Sequence, residues 1–248
     1  MNCASLIGLL GAALLCGCVA APATHPSVVH GKFRLIVTGE RDELDEPGAT
    51  SAEAGIMATG AHATDMFQGH DRKDAKTSIA MGDPQPYAHI VSLRSSLMSD
   101  EDMLQMGITK AADSERTAPE QRNVRVKGLI YAIAKESDND FHLIVGDPGC
   151  EDGGCFITVE VSGLPASSSP DAVALSAARS KFLAFFDGTQ PGASRGYEKF
   201  DPAIPVVITG SLFFDVDHNA GAVGPRGFKP SSAWEIHPLT DITFQNAP

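Results

Sequence analysis

Arg122–Val161 reads RNVRVKGLIYAIAKESDNDFHLIVGDPGCEDGGCFITVEV, and two turn signals divide it into three apolar segments. Val124, Val126, Ile130 and Ala132 alternate with polar or outward residues, the period-two mark of a strand with one buried face. Glu136–Asp140 (ESDND) is a turn, after which Phe141, Leu143 and Val145 alternate in a second strand. Asp147-Pro148-Gly149 closes that strand, and Ile157, Val159 and Val161 mark the inward face of a third. Gly128 in mid-strand predicts a bulge where the first strand bends.

Downstream, Ser169 is placed to cap a helix, with Pro170 at its first position and Asp171 in its first turn. Leu175, Ala178, Phe182 and Phe185 recur at helical spacing until Gly188. Thr189–Ala203 reads as a Gly/Pro loop, Pro205–Asp215 as a fourth strand, Val216–Ala233 as a long loop and Trp234–Phe244 as a fifth strand. Three strands, a helix and two strands is the order of an OB fold. The expected fold is therefore mainly β: a five-stranded Greek-key OB-type barrel over 119–248, with one helix between strands three and four. An irregular N-terminal α/β extension over 31–118 precedes it. Within that extension Lys32–Gly39 predicts a strand, and Tyr87–Leu97 a strand or a short helix. Ser99 and Asp102 predict a capped helix over Asp100–Ile108.

The first residues are read as an address. Leu6–Leu15 is an apolar core too short to span a bilayer well. It runs into Leu15-Cys16-Gly17-Cys18, which resembles a bacterial lipobox. That resemblance implies a signal peptide over 1–17, lipidation of Cys18 and a Pro/Ala-rich spacer over 18–30. It also implies an envelope location, with an outer-membrane protein facing the periplasm as the expectation. Cys150 and Cys155 then remain in an oxidising compartment, flanking a tight turn, and are expected to form a disulfide.

Asp140–Asp147 (DFHLIVGD), Gly224–Phe228 (GPRGF) and Glu235-Ile236-His237-Pro238 carry a second resemblance. Between Val124 and Ile242 the chain resembles a group of bacterial exported proteins that end in a Trp/Ile-Glu-Leu/Ile-His-Pro strand. The resemblance implies the fold and carries no assigned chemistry.

Net charge is −12, with 9 Lys/Arg against 15 Asp/Glu over 19–118 and 10 against 16 over 119–248. That even acidity argues against nucleic acid, which needs a basic surface. Of the membrane contacts, only the N-terminal lipid is implied. There is no GxSxG elbow, HExxH or phosphate loop, and no cofactor is implied.

Candidate ligand-binding residues are His142, Phe156, Thr158 and Phe228. An exposed Phe156 beside His142 would make a stacking platform on the outward faces of strands two and three. Alternatively, the N-terminal segment covers that face and buries both. A second constellation is Asp215, Asp217, Glu235 and His237, whose carboxylates and imidazole suit a divalent metal. These residues define two expected functions. One is a lipid-anchored, non-catalytic binding module for a protein, peptide or glycan. The other is a metal-dependent, phosphodiesterase-like hydrolase.

Overall fold

A computed structural model of the chain describes residues 29–30, 33–42, 65–186, 191, 196–218 and 220–245. The expected signal peptide, Cys18 and most of the expected spacer lie outside these residues. In chain order the strands are β1 (Val29–His30), β2 (Phe33–Val37), β3 (Gln85–Tyr87), β4 (Asn123–Lys135), β5 (Phe141–Gly146), β6 (Phe156–Val161), β7 (Glu198–Phe214) and β8 (Trp234–Phe244). The helices are α1 (Lys73–Lys76), α2 (Ile90–Arg94), α3 (Asp100–Gln105) and α4 (Ala172–Phe185). None of them is long and apolar enough to cross a membrane.

The molecule is mainly β, with one mixed sheet ordered β1-β2-β7-β8-β6-β5-β4-β3. β3 runs parallel to β4 and β6 parallel to β8, and the remaining pairs are antiparallel. β4 also pairs with β7, so hydrogen bonds connect β4, β5, β6, β8 and β7 and return to β4.

Among the described residues the sheet has eight strands, and β4–β8 lie in the stretch expected to hold five. The additions come from the N-terminal stretch: β2 pairs with Glu198–Asp201 at the start of β7, and β3 with Val124–Val126. β7 begins at Glu198, inside the segment read as a loop, because Pro202 and Pro205 look like strand breakers. Tyr87–Leu97 holds both alternatives at once, the end of β3 and then α2. α3 starts as expected: Ser99 Oγ accepts from Asp102 N at 3.1 Å and donates to Asp102 Oδ2 at 2.7 Å. α4 begins two residues later than its Ser-Pro signal suggests, at Ala172.

Gly128 does not sit in a bulge. The register shift of β4 falls between Ile130 and Ala132. Gly128 answers to crowding: a Cβ there would lie 2.7 Å from Val145 Cγ1. Gly210 has the same role on β7, where a Cβ would meet Pro238 O at 2.6 Å. Its missing side chain lets β8 pass closely at His237-Pro238.

The main core takes the predicted inward residues, Leu143, Val145, Ile157, Val159, Val161, Trp234, Ile236 and Ile242. Phe182 of α4 packs into it, as do Ile90 and Leu93 of α2 and Met103 of α3. Each such large apolar side chain contributes about 1.5–3 kcal/mol when fully buried. The described part of 31–118 therefore shares the core of the sheet. A smaller cluster on the other side holds Ala132, Ala134, Ile144, Phe156, Tyr197 and Val223. At the turn between β5 and β6, Cys150 and Cys155 are paired as a disulfide, with Cα atoms 5.7 Å apart.

Candidate functional site

Alternation places His142 on β5, and Phe156, Thr158 and Glu160 on β6, away from the main core. The structure buries all four, at 5%, 1%, 2% and 1% exposure. The stacking platform is therefore overturned. Register also separates its members, because His142 faces Glu160 while Phe156 faces Gly146. Phe156 packs edge-on to Tyr131 and Phe228, at 5.3 and 5.7 Å between ring centroids. Phe228 alone of the four candidates is half-exposed.

Asp42 explains the cover. Its Oδ2 accepts from Tyr197 Oη at 2.8 Å and lies 3.3 Å from His142 Nδ1. Its Oδ1 accepts from Gly224 N at 2.7 Å. One buried carboxylate thus ties the N-terminal segment, the start of β7 and the β7–β8 loop over the face of β5. This is the covering that the sequence left open as an alternative.

Beneath the cover the strands converge on a polar centre. Glu160 lies between two imidazoles, with Oε1 2.8 Å from His142 Nε2 and Oε2 2.9 Å from His237 Nδ1. His237 Nδ1 is also 3.7 Å from Glu235 Oε2, and its Nε2 is 3.2 Å from Asp140 Oδ2. Asp140 accepts a short bond from Gly163 N through its other oxygen. Asp215, His218 and Glu235 form an adjoining group, with His218 Nδ1 2.7 Å from Asp215 Oδ2. His218 and His142 meet edge to face at 6.4 Å, which joins the groups.

Burial and mutual charge set the proton affinities. Burial, then the facing Glu160, pushes Glu235 up to about 8. Burial and Asp140 push Asp138 up to about 7. Burial opposes protonation of His142 and His237, yet Glu160 and the neighbouring carboxylates hold both well above the ordinary imidazole value. Burial likewise opposes ionising Glu160, but His142 and His237 overcome it and hold that carboxyl well below its usual range. His218, bonded to Asp215 against the effect of burial, rises to about 9.

Of the four expected metal ligands, the structure brings Asp215, Glu235 and His237 into this centre. It leaves out Asp217, which pairs instead with the exposed Lys110. Sequence reasoning missed Asp42, Asp140 and Glu160 as members. For Asp140 the signal was present: Glu136, Asp138 and Asp140 alternate toward His142 through a stretch read only as a turn. Asp42 carried no such mark, because it joins from the segment that follows β2, distant in sequence.

Outside the cover, a cavity of 440 Å³ opens between the β5–β6 turn and the β7–β8 loop. Its walls include Glu40, Arg41, Glu151, Arg226 and Lys229, together with Gly153, Gly224 and Gly227. Arg226 N donates to Glu40 Oε2 at 2.6 Å. No group of the buried centre lines it. No protein-family model matches this chain, and no curated protein matches it either.

Proposed function

We propose that the chain is an exported lipoprotein in which β4–β8 form a Greek-key barrel of the OB type, binding a peptide, protein or glycan in the cell envelope without catalysis. The return of the pairing circuit from β7 to β4, with α4 between β6 and β7, supports the barrel reading. The anchor rests on the lipobox-like run that ends at Cys18.

One observation carries the binding reading: the titratable groups are sealed while the cleft is open. His142, Glu160, Asp215, Glu235 and His237 are each 5% exposed or less. A general acid or base must come within hydrogen-bond reach of the proton it moves, and the cover holds substrates away from all of them. The open cleft instead presents Arg41, Arg226 and Lys229 beside Glu40 and Glu151. Charges of both signs suit a peptide or a charged glycan better than a polyanion. The hydrolase alternative is weakened by the same burial and by the diversion of Asp217 to Lys110.

Thermal shift and calorimetry of the full chain, with a panel of envelope peptides and glycans, test this reading. Saturable binding is expected, weakened at least tenfold by Arg226→Glu with Lys229→Glu, and the ligand is recovered unchanged. A chemically altered ligand, or binding that ignores the charge reversal, refutes it. For the anchor, Cys18→Ala is expected to leave the membrane fraction, and its retention there counts against lipidation.

A further inference from the structure

His237 is fully buried, and neither of its ring nitrogens has a hydrogen-bond partner. Asp140 Oδ2, Glu160 Oε2 and Glu235 Oε2, which face those nitrogens at 2.9–3.7 Å, also have none. Donors and acceptors therefore converge at contact distance without the alignment of N–H···O bonds. A dry interior does not ordinarily tolerate this, since each orphaned polar atom costs about 1–3 kcal/mol.

Charge is also out of balance. Asp42, Asp138, Asp140, Glu160, Asp215 and Glu235 are buried here, and their cationic company is His142, His218, His237 and Lys76. An imidazole that binds a metal through Nδ1 is neutral, so with His142, His218 and Lys76 charged three negative charges remain, before the half-buried Glu136 beside His142 is considered. A divalent cation offsets two of them. Protons are the alternative compensation.

We propose that His237 Nδ1, Glu160 and Glu235 bind a divalent transition-metal ion of the Zn²⁺ class, with Asp140 orienting the imidazole from behind. Zn²⁺ bonds of about 2.0–2.2 Å to nitrogen and carboxylate oxygen set tetrahedral donors about 3.4 Å apart. The separations from His237 Nδ1, 2.9 and 3.7 Å, straddle that spacing. Nδ1 faces two carboxylates and Nε2 one, so the metal belongs on the Nδ1 side. Nε2–H then points at Asp140, the carboxylate–imidazole–metal arrangement that fixes a tautomer. An imidazole among carboxylates favours Zn²⁺ and its first-row neighbours over Ca²⁺ and Mg²⁺, which take oxygen alone. Because the donors come from β6 and β8 under a closed cover, uptake is coupled to folding. The ion is placed as a structural centre of the fold, separate from the open cleft.

Metal analysis of the full chain, followed by chelator stripping and reloading, tests the proposal. The expected result is about one Zn²⁺ per chain, and a stripped protein whose melting temperature recovers on adding Zn²⁺ but not Ca²⁺. Glu235→Gln and His237→Gln are each expected to weaken Zn²⁺ at least tenfold, while Arg226→Glu at the cleft leaves it unchanged. Should the centre variants fail to fold, X-ray absorption of the Zn²⁺-loaded wild type decides, with one imidazole among oxygen donors expected. No retained metal together with no Zn²⁺ shift overturns the proposal. So does Zn²⁺ binding that survives both substitutions, or an absorption spectrum with no imidazole or several.

Discussion

Two buried ionic clusters lie against β7 and β8, and they are built on opposite principles. In the first, Arg72 Nη1 and Nη2 donate to Glu120 Oε1 and Oε2 at 2.7 and 2.9 Å. Phe214 N completes Oε1, and Thr117 N and Oγ1 complete Oε2. Arg116 beside it donates to four backbone carbonyls, those of Ala75, Ser78, Leu212 and His237. Only the two guanidinium Nε atoms are left over. The second cluster, around His237, brings like charges together and leaves five carboxylate and imidazole atoms unmatched. A buried ion pair repays its desolvation only when the remaining lone pairs and protons are satisfied. The Arg72–Glu120 cluster meets that condition with protein atoms alone, so it fixes structure. The His237 cluster does not, and it points to an additional ligand.

Removing one partner from the satisfied cluster gives the largest expected effect. Glu120→Ala leaves Arg72 buried without a counter-charge and is expected to cost about 3–5 kcal/mol in denaturant unfolding. A loss below about 1 kcal/mol, the range of an exposed pair, would erase the contrast between the clusters. The same residue sets a pH dependence. Arg72 and the Phe214 and Thr117 donors, working against burial, hold Glu120 below the ordinary carboxyl value. Its contribution is thus complete above that ordinary value and is lost as pH falls through the lowered one. Glu120→Gln should flatten this part of the acid limb, measured as melting temperature against pH, and an unchanged slope would reassign it.

The hairpin that carries His142 and Glu160 offers an intermediate effect. Its disulfide lies at the end of β5 and β6 away from that pair. Cys150→Ser with Cys155→Ser is expected to cost about 2 kcal/mol, since the closed loop is short. Zn²⁺ affinity should stay the same, and a changed affinity would mean that the turn helps position Glu160. The smallest effect belongs to Asp217, the member of the predicted metal set that the polar centre excludes. Its partner Lys110 is exposed, and Asp217→Ala should change stability by less than about 1 kcal/mol. Any loss of Zn²⁺ binding in that variant would return Asp217 to the site.

The strands of the central meander were legible because alternation survives on the side facing the main core: Leu143, Val145, Ile157 and Val159 are where period two puts them. Alternation could not say what lies over the other side. His142 and Glu160 look solvent-facing when only their own strands are considered, and Asp42, which helps cover them, is distant in sequence. Pro202 and Pro205 concealed the first third of β7 for a related reason, since the strand tolerates them only through its particular partners. The long loop before Trp234 gave no sign that Gly224 would bond to Asp42 over β5, although Phe228 is a candidate alongside His142 and Phe156.

By itself the sequence determined a mainly β chain, the meander and its stapled turn, the capped helix at Ser99 and a net acidity spread along the chain. Those are local properties, set by side-chain period, turn chemistry and composition. Only the tertiary structure decided that Asp140, Glu160, Glu235 and His237 meet in one dry place. Contact between residues so distant in sequence depends on strand pairing across the sheet, which no local pattern encodes. It also decided that Asp217 stays outside and that the predicted binding face is closed. Burial then turns ordinary carboxylates and imidazoles into groups that need protons or a metal, because charge close together in a low dielectric must be compensated.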